Sequence, residues 1–167
     1  MIRAIVCVSE NWGIGRNNNL IFNLKQDMKF FTKRTTGNIV VMGERTLLSL
    51  PGGKPLKNRT NVVLCPEDHE YEGCFCFHSI DALLDYIRIR TAINDRDIYV
   101  IGCGMMYRSM LPYCEEILVT KVKEYVPDAQ VFFPNLDEDP NFEISQISDT
   151  LEEDNKLFNF VTYKKIK

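Results

Sequence analysis

Residues 98–111 read Ile-Tyr-Val-Ile-Gly-Cys-Gly-Met-Met-Tyr-Arg-Ser-Met-Leu, and this stretch contains the unit from which the fold is built. Its apolar first part, residues 98–101, predicts a central strand. The glycines at 102 and 104 predict a tight turn, and residues 105–111 predict a helix that Pro112 stops. A strand that passes through a glycine turn into a helix is typical of an α/β sheet.

The same order of strand, glycine and helix occurs nearer the N-terminus. Residues 38–42 form an apolar, β-branched run that predicts a strand, and Gly43 and a short helix over residues 44–50 follow it. Ile2–Val8 is a continuous apolar run with a single Arg, which predicts a strand buried on both faces. The polar segment 9–20 is punctuated by glycines and predicts a long loop.

The first helix is predicted from its cap. Asn23 occupies the expected N-cap position and Gln26 follows three residues later, which is the spacing of a capping box. The helix is expected to run to about Thr35 and to end near Gly37. The other predicted elements are strands at 61–64, Cys74–Phe77 and 117–122, a helix from a Ser79 cap to about Arg90, and an antiparallel pair at Phe142–Ile147 and 157–164. Strands and helices alternate over the first two thirds, which predicts an α/β domain with a largely parallel sheet.

The bulk properties exclude several classes of protein. A chain of 167 residues fits one domain, and 45% hydrophobic content suffices for a normal core. The net charge of −3 gives no electrostatic reason to expect nucleic acid or an anionic membrane as a partner. No apolar run approaches the ~20 residues that cross a bilayer, and the N-terminus is too strand-like for a signal peptide. We therefore expect a cytoplasmic protein.

The cysteines predict neither a metal site nor disulfides. The chain contains six cysteines and two histidines, and no two cysteines form a C-x-x-C pair. Several cysteines lie in apolar strand runs, where a free thiol behaves as a small hydrophobic group. Reduced thiols are expected in a cytoplasmic protein.

Asp27 is the most informative polar residue. Leu24, Asp27, Met28 and Phe31 follow the spacing of one helix face, and Leu20 extends the apolar stripe. A carboxylate on a buried face is costly unless something pairs with it. Either a Lys or Arg of the protein satisfies it, or it is solvated at the edge of the stripe, or a ligand with adjacent N–H donors pairs with it, and the spacing leaves these alternatives open.

The two strand–glycine–helix turns are candidates for phosphate binding. Gly43 and the segment 102–104 each place backbone N–H groups and a helix start at the same edge of the sheet. The second turn lacks the G-x-G-x-x-G fingerprint of dinucleotide-binding sites. A glycine that is needed only for a tight turn remains the alternative at both places.

The order of all these features resembles that of the dihydrofolate reductase family. The match runs from Ile5 to Pro134, and the tail beyond it fits the family's β-hairpin. The features that carry the resemblance are Ile14-Gly15, Asp27 with Phe31, Val41-Met42-Gly43 with Thr46, Arg59 followed by Asn61 and a Val-Val-Leu run, Ile101-Gly102 and Gly104 with Tyr107, and Val119-Thr120.

The resemblance implies a fold and a reaction. The implied fold is one domain over residues 1–167, an α/β three-layer sandwich around a twisted, mostly parallel eight-stranded sheet with a C-terminal antiparallel hairpin. The implied reaction reduces 7,8-dihydrofolate to 5,6,7,8-tetrahydrofolate with NADPH, by hydride transfer to the pterin and water-mediated protonation, and it serves one-carbon metabolism. The expected partners are dihydrofolate and antifolates, the expected state is a monomer, and neither nucleic acid nor a membrane is expected.

The resemblance also implies a substrate site. Asp27, as the catalytic carboxylate, would accept hydrogen bonds from the pterin, and the Thr120 hydroxyl would support that contact. Arg59 would clamp the α-carboxylate of the glutamate tail, because its planar fork matches a carboxylate. The other residues implied at the substrate are Val6, Cys7, Leu20, Leu24, Met28, Phe31, Leu50, Leu56, Ile101 and Tyr107.

The implied NADPH site has three parts. The residues implied around the nicotinamide are Cys7, Ile14, Gly15, Asn18 and Leu20. Those implied at the pyrophosphate and nicotinamide ribose are Gly102, Cys103 and Gly104, and the resemblance also assigns Ile101, Met105, Met106 and Tyr107 to the cofactor site. Those implied at the adenosine half are Gly43, Glu44, Arg45, Thr46, Leu64, Cys65, Pro66 and His78.

Two departures from the family pattern concern the first loop. Leu20-Ile21-Phe22 replaces Leu-Pro-Trp, and the lost proline relaxes the junction between loop and helix. Gln130 replaces a carboxylate that holds the loop closed by accepting hydrogen bonds from its backbone. Gln130 can still accept such a bond, but without charge, so we expect closure of the loop to be less populated.

Other departures concern the adenosine end. Glu44 follows Gly43 where the family usually has Arg, and Pro66 and His78 replace further contacts to the 2′-phosphate. Either Glu44 repels that phosphate and the preference for NADPH over NADH falls, or Glu44 points to solvent and Arg45 compensates.

Two other functions remain as alternatives. The related pyrimidine reductase of riboflavin biosynthesis shares the fold and NADPH, and a non-catalytic nucleotide-binding protein would also fit the turns. Asp27 with Phe31, Arg59 and Thr120 favours folate over both.

Overall fold

The computed structural model describes residues 1–93 and 96–166 as a central β-sheet with helices on both faces. Its strands in chain order are β1 (Ile2–Val8), β2 (Gly13–Arg16), β3 (Asn19–Leu20), β4 (Ile39–Gly43), β5 (Thr60–Leu64), β6 (Cys74–Phe77), β7 (Ile98–Gly102), β8 (Glu116–Val122), β9 (Val131–Phe132), β10 (Phe142–Ile147), β11 (Leu151–Glu153) and β12 (Lys156–Lys165). Its helices are α1 (Lys25–Thr35), α2 (Glu44–Ser49), α3 (Ile80–Ile93) and α4 (Gly104–Met110), with short 3₁₀ turns at Pro51–Gly53 and Leu111–Tyr113. Asn94, Asp95 and Lys167, which the predicted domain also spans, lie outside the described residues.

The main sheet has the strand order β10-β12-β8-β1-β7-β4-β5-β6, and β11 pairs with β12 beside it. The strands from β8 to β6 pair in parallel, whereas β12 is antiparallel to both β8 and β10. The predicted mostly parallel sheet with a C-terminal antiparallel hairpin is therefore confirmed. The parallel strands all end at one edge, which is where an α/β sheet binds its ligands.

Helices cover both faces of the sheet because alternate residues of the central strands point to opposite sides. On β4, Val41 belongs to a buried cluster that also contains Leu83 of α3 and Met106 of α4. Val40 belongs to a second cluster with Leu47 of α2, and α1 packs against it. The arrangement is the predicted three-layer sandwich. Across residues 1–93 and 96–166, no helix is long and apolar enough to cross a membrane.

The N-terminus of α1 differs from the prediction. Leu24 occupies the N-cap position and no side chain caps the helix locally, so the predicted capping box of Asn23 and Gln26 is wrong. The Glu153 carboxylate of β11 instead accepts the backbone N–H groups of Lys25 at 2.6 Å and of Gln26 at 3.0 Å. The bonds from Gln26 and Lys25 hold the pKa of Glu153 below its ordinary value. A cap supplied from the far end of the chain leaves no trace in the local sequence.

The predicted loop 9–20 contains a hairpin, formed by β2 and β3, that the sequence prediction missed. Asn17 and Asn18 form its turn with positive φ angles of 51° and 63°, which Asn adopts more readily than most residues. Strand β2 also pairs with β9, so that the three strands form a small separate sheet. Adjacent asparagines favour the turn of a β-hairpin, but the prediction of a loop considered only that the segment is polar and contains glycines.

The other helices follow the prediction closely. The Ala82 N–H donates to Ser79 Oγ at 3.1 Å, which confirms the predicted cap of α3. Helix α4 ends at Met110, one residue earlier than predicted, because Pro112 belongs to the 3₁₀ turn that follows.

Candidate active site

Asp27 on α1 faces the adjacent strands β1 and β8. These strands pair in a register that sets Cys7 opposite Thr120. The Thr120 hydroxyl donates to Asp27 Oδ1 at 2.6 Å, and the Cys7 thiol also hydrogen-bonds to the Asp27 carboxylate. The sheet register thus aims two donors at one carboxylate near the ligand edge.

The Asp27 carboxyl has a raised pKa. Burial is the main cause because it penalises the charged form, and hydrogen bonds from Thr120 and Cys7 offset only part of that effect. The negative charge of Glu153 adds to the increase. In the part of the chain that the structure describes, no Lys, Arg or His forms an ion pair with Asp27. Of the alternatives raised by the sequence, a ligand with N–H donors is therefore the one that fits, because the burial of the carboxylate also disfavours a solvated position.

The apolar stripe around Asp27 is only partly buried, which corrects the prediction. Leu24 is buried, but the side chain of Met28 is 51% exposed. Leu20 lies in β3 rather than on α1, and it is 75% exposed. Phe31 is half-buried against the cluster beneath α2. Exposed apolar side chains beside a partly buried carboxylate suit a flat ligand with one polar edge.

Arg59 packs against the C-terminal half of α1. Its Nε donates to Thr35 Oγ1 at 3.2 Å, and its Nη1 donates to the Lys57 carbonyl at 2.9 Å. The guanidinium lies 6.0 Å from the centre of the Phe31 ring, within cation–π range. Among residues 1–93 and 96–166 no carboxylate pairs with Arg59. Arg59 is thus positioned by neutral groups and retains N–H donors for an anion.

The two glycine turns contact each other because β4 and β7 are neighbours. A Cβ on Gly43 would lie 2.8 Å from Cys103 Sγ, and a Cβ on Gly102 would lie 2.7 Å from Thr46 Oγ1. Gly102 has a φ of 142°, and the peptide bond between Gly102 and Cys103 is cis. A side chain at Gly43 would collide with Cys103 of the other turn, and one at Gly102 would collide with Thr46 of α2. The φ of Gly102 also disfavours any other residue at that position.

Helices α2 and α4 start at these turns without a side-chain cap. Gly43 is the N-cap of α2 and Cys103 is the N-cap of α4. The first backbone N–H groups of a helix have no partner within the helix. Two such helix starts side by side suit the charge of a pyrophosphate.

Glu44, the first residue of α2, is held by two residues that the sequence prediction missed. The Tyr71 hydroxyl donates to Glu44 Oε2 at 2.6 Å, and His69 Nδ1 bonds to the same oxygen. The bonds from Tyr71 and His69 lower the pKa of Glu44, and the bond to Glu44 raises the pKa of His69. Glu44 therefore does not simply point to solvent, as one of the two sequence alternatives required. The sequence indicated these two partners of Glu44 only by placing them in the loop after β5.

His78, the other predicted contact of the adenosine end, is already engaged. Its Nδ1 bonds to the Cys65 carbonyl oxygen at 3.0 Å, and its Nε2 lies 3.3 Å from Glu70 Oε1. The contact with the Cys65 backbone is the main cause of the raised pKa of His78, and Glu70 adds to it. Arg45 is exposed.

Comparisons with known proteins agree on one family. The family model described as dihydrofolate reductase matches residues 1–165. The chain belongs to the dihydrofolate reductase family. The dihydrofolate reductase of Bacillus subtilis is 32% identical, over 99% of this chain and 95% of its own length. That of Schistosoma mansoni is 33% identical, over 97% of this chain and 95% of its own length. The chain also resembles a solved structure, the dihydrofolate reductase from Enterococcus faecalis complexed with NADP(H) and RAB-propyl. The two structures align with a TM-score of 0.86 and 26% sequence identity, over 100% of this chain and 97% of the other.

Membership of the dihydrofolate reductase family confirms the resemblance and the fold that it implied. Some predicted contacts are nevertheless available only through the backbone. The side chains of Val6 and Met106 are buried in the cluster on the α3 side of the sheet. The Tyr107 hydroxyl donates to the Ile5 carbonyl at 2.8 Å, and burial raises its pKa. This hydrogen bond of Tyr107 therefore links α4 to β1.

The structure places the remaining predicted residues on several elements. Leu50, Leu56 and Ile101 are partly buried on the α2 side of the sheet. The others are Ile14 and Gly15 in β2, Asn18 in the hairpin turn, Leu64 at the end of β5, buried Cys65, exposed Pro66, and Gly104 and exposed Met105 at the start of α4.

Gln130 contacts the first hairpin as the departure from the dihydrofolate reductase pattern predicted. Its Oε1 accepts the Asn17 N–H at 2.6 Å, and its backbone N–H donates to the Gly15 carbonyl at 2.8 Å. Neutral hydrogen bonds from Gln130 and an ion pair between Arg16 and Asp128 at 2.9 Å therefore hold the hairpin to the segment before β9.

Proposed function

We propose that this protein reduces 7,8-dihydrofolate to 5,6,7,8-tetrahydrofolate with NADPH and so supplies one-carbon metabolism. The observation that carries the proposal is Asp27, a partly buried carboxylate with two internal donors and no cation in ion-pair contact among the described residues, in a chain of the dihydrofolate reductase family. Such a carboxylate suits the adjacent N–H groups of a pterin, because a two-point contact of this kind is strong and directional.

Asp27 would bind and orient the pterin. Thr120 and Cys7 each donate one hydrogen bond to the carboxylate, which leaves its other acceptor sites for the substrate. The raised pKa of Asp27 reflects a desolvated charge, which strengthens its interaction with a bound N–H donor. Water would deliver the proton to the pterin, and Asp27 would favour that step by placing negative charge beside the ring.

The glycine turns support the cofactor part of the proposal. NADPH supplies the hydride when bound. The close contact between Gly43 and Cys103 leaves backbone surface where a side chain would otherwise stand, and the uncapped starts of α2 and α4 would hold the pyrophosphate. The β2–β3 hairpin would cover the nicotinamide and exclude water from the reacting atoms.

The tail of the substrate would follow α1. Arg59 would bind the α-carboxylate of the glutamate, because its guanidinium retains donors and no acid of the described residues pairs with it. Leu24, Met28 and Phe31 would pack against the pterin and the aminobenzoyl ring.

The test is a spectrophotometric assay of NADPH consumption with dihydrofolate, with tetrahydrofolate measured in parallel. We expect NADPH to fall only when dihydrofolate is present, with one tetrahydrofolate formed per NADPH. Absence of turnover at saturating concentrations, together with NADPH binding, would indicate the non-catalytic alternative instead. Stoichiometric binding of methotrexate would separate folate recognition from the pyrimidine reductase.

We also infer that the protein is a cytoplasmic monomer that binds no nucleic acid. The net charge of −3 and six free cysteines support this inference. Size-exclusion chromatography with light scattering tests the oligomeric state.

A further inference from the structure

The proposed cofactor site runs along the edge of the sheet, from β1 toward β5. Asp27 lies over β1 and β8, and the contacting glycine turns lie at the ends of β7 and β4. Neighbouring strands are about 4.8 Å apart. A dinucleotide with its reactive ring near Asp27 and its pyrophosphate at the glycine turns must therefore extend its other end over β4 and β5. Glu44 lies there, with His69 and Tyr71 of the loop that follows β5.

This end of the site is acidic. Among the residues that the structure describes, both partners of the Glu44 carboxylate bond to Oε2, so Oε1 is left to accept a further donor. Asp68 Oδ1 lies 3.7 Å from His69 Nε2, and Glu70 pairs with His78. The Cys65 thiol also lies near Glu44, and burial is the main cause that raises its pKa to about 11. Arg45, the next residue after Glu44, is exposed.

We propose that Glu44 recognises the free 2′-hydroxyl of an adenosine ribose, so that the protein uses NADH as well as NADPH. The inference rests on the proposed function and adds a second cofactor to it. A ribose hydroxyl donates to a carboxylate, and acidic residues read NAD in this way in other dinucleotide-binding folds. A 2′-phosphate instead brings about −1.5 to −2 charges against Glu44, which like-charge repulsion disfavours.

Tyr71 and His69 have positioning roles in this assignment. The Tyr71 hydroxyl fixes the rotamer of Glu44 and keeps the carboxylate ionised. His69, when protonated, offsets the charge of Glu44 and with Arg45 explains how NADPH is still accepted. The chemistry of the reaction is unchanged, since dihydrofolate gains one hydride from NADH and one proton from water, giving tetrahydrofolate and NAD⁺.

The experiment measures kcat/KM for NADH and for NADPH at neutral pH, with calorimetric binding of NAD⁺ and NADP⁺ as a readout independent of turnover. The variants are Glu44→Gln, Glu44→Arg and Tyr71→Phe, and the matched control is Glu72→Gln, an exposed acid of the same loop. We expect the wild type to use NADH within about tenfold of NADPH. Loss of a hydrogen bond to a charged group predicts that Glu44→Gln weakens NAD⁺ binding about tenfold or more.

The outcomes are distinguishable. A rise in the NADPH:NADH ratio in the order control, Tyr71→Phe, Glu44→Gln, Glu44→Arg supports the assignment. Strong turnover with NADPH, negligible turnover with NADH and a ratio that Glu44→Gln leaves unchanged would overturn it while the proposed function stands. No turnover with either cofactor would instead remove the proposed function.

Discussion

The two ends of the ligand edge each carry a carboxylate held by a hydroxyl, yet the two carboxylates are tuned in opposite directions. Asp27 accepts from Thr120 at 2.6 Å and Glu44 accepts from Tyr71 at 2.6 Å. Burial nevertheless raises the pKa of Asp27, whereas the bonds from Tyr71 and His69 lower the pKa of Glu44. A short hydrogen bond therefore does not decide the charge state alone, because desolvation outweighs it at one end and not at the other.

This difference in pKa suits the two carboxylates to different proposed roles. The desolvated Asp27 carboxylate would bind a flat heterocycle and influence its proton affinity, whereas the Glu44 carboxylate, with its lowered pKa, would select between two cofactors by charge. Each role is tested by removing one carboxylate and asking which property of the reaction changes.

The largest effect is expected from Asp27→Asn. An amide cannot accept from two adjacent N–H donors, so turnover with dihydrofolate at neutral pH should fall roughly 10²- to 10⁴-fold, while the NADPH:NADH ratio stays unchanged. Steady-state kinetics with both cofactors is the measurement. Asp85→Asn, an exposed acid on α3, is the control. A variant with near-normal turnover would remove Asp27 from the reaction, and a shifted cofactor ratio would break the division between the two ends.

The next effect is expected from Arg59→Ala. Loss of a charge-assisted contact to the substrate's carboxylate should raise the KM for dihydrofolate about 10- to 100-fold, with kcat and the KM for NADPH nearly unchanged. Arg88→Ala, an exposed arginine of α3, should leave all three parameters as in the wild type. Equal loss with a folate analogue that lacks the glutamate would show that Arg59 acts on structure rather than on the tail.

A smaller effect is expected from Glu153→Gln, which weakens the cap of the helix that carries Asp27. The amide oxygen still accepts but without charge, so the melting temperature should fall by about 2 to 4 °C. Glu152→Gln is the control, because only its backbone carbonyl contacts Gln26. Differential scanning calorimetry measures both variants, and identical melting curves would mean that the cap contributes nothing to stability.

The smallest effect concerns stability, because replacing each of the two carboxylates should shift the melting temperature in an opposite direction. The folded pKa of Asp27 is raised, so its contribution to stability is present below the unfolded pKa and is lost as pH rises through the folded pKa. The folded pKa of Glu44 is lowered, so its contribution is present above the unfolded pKa and is lost as pH falls through the folded pKa. At neutral pH, Asp27→Asn should therefore raise the melting temperature and Glu44→Gln should lower it. Shifts of the same sign, measured from acid to neutral pH, would contradict this assignment of the two environments.

Features that depend on contiguous residues were predictable from the sequence. Ile2–Val8, Cys74–Phe77 and Phe142–Ile147 are strands with the predicted bounds, because hydrophobic and β-branched runs report burial directly. The Ser79 cap was likewise local and correct. The order of such features along the chain was enough to indicate the family.

Features made by distant residues were not predictable. The cap of α1 comes from Glu153, and the neighbours of Glu44 come from a loop on another strand. The burial of Leu20 was overestimated because its position in a hairpin strand, rather than on the helix, depends on that tertiary arrangement. Spacing along one element cannot report which side chains a second element brings to it.

The position of β1 also bears on how the chain is made. Among the strands of the main sheet β1 leaves the ribosome first, yet its two neighbours, β7 and β8, begin only at Ile98 and Glu116, and β12 must then close the far side of β8. Most of the polypeptide must therefore emerge before the first strand finds its place. Nascent chains arrested before Glu116 would lack Thr120 and should be captured by chaperones rather than by methotrexate resin, because the proposed pterin pocket combines segments that are far apart in the order of translation.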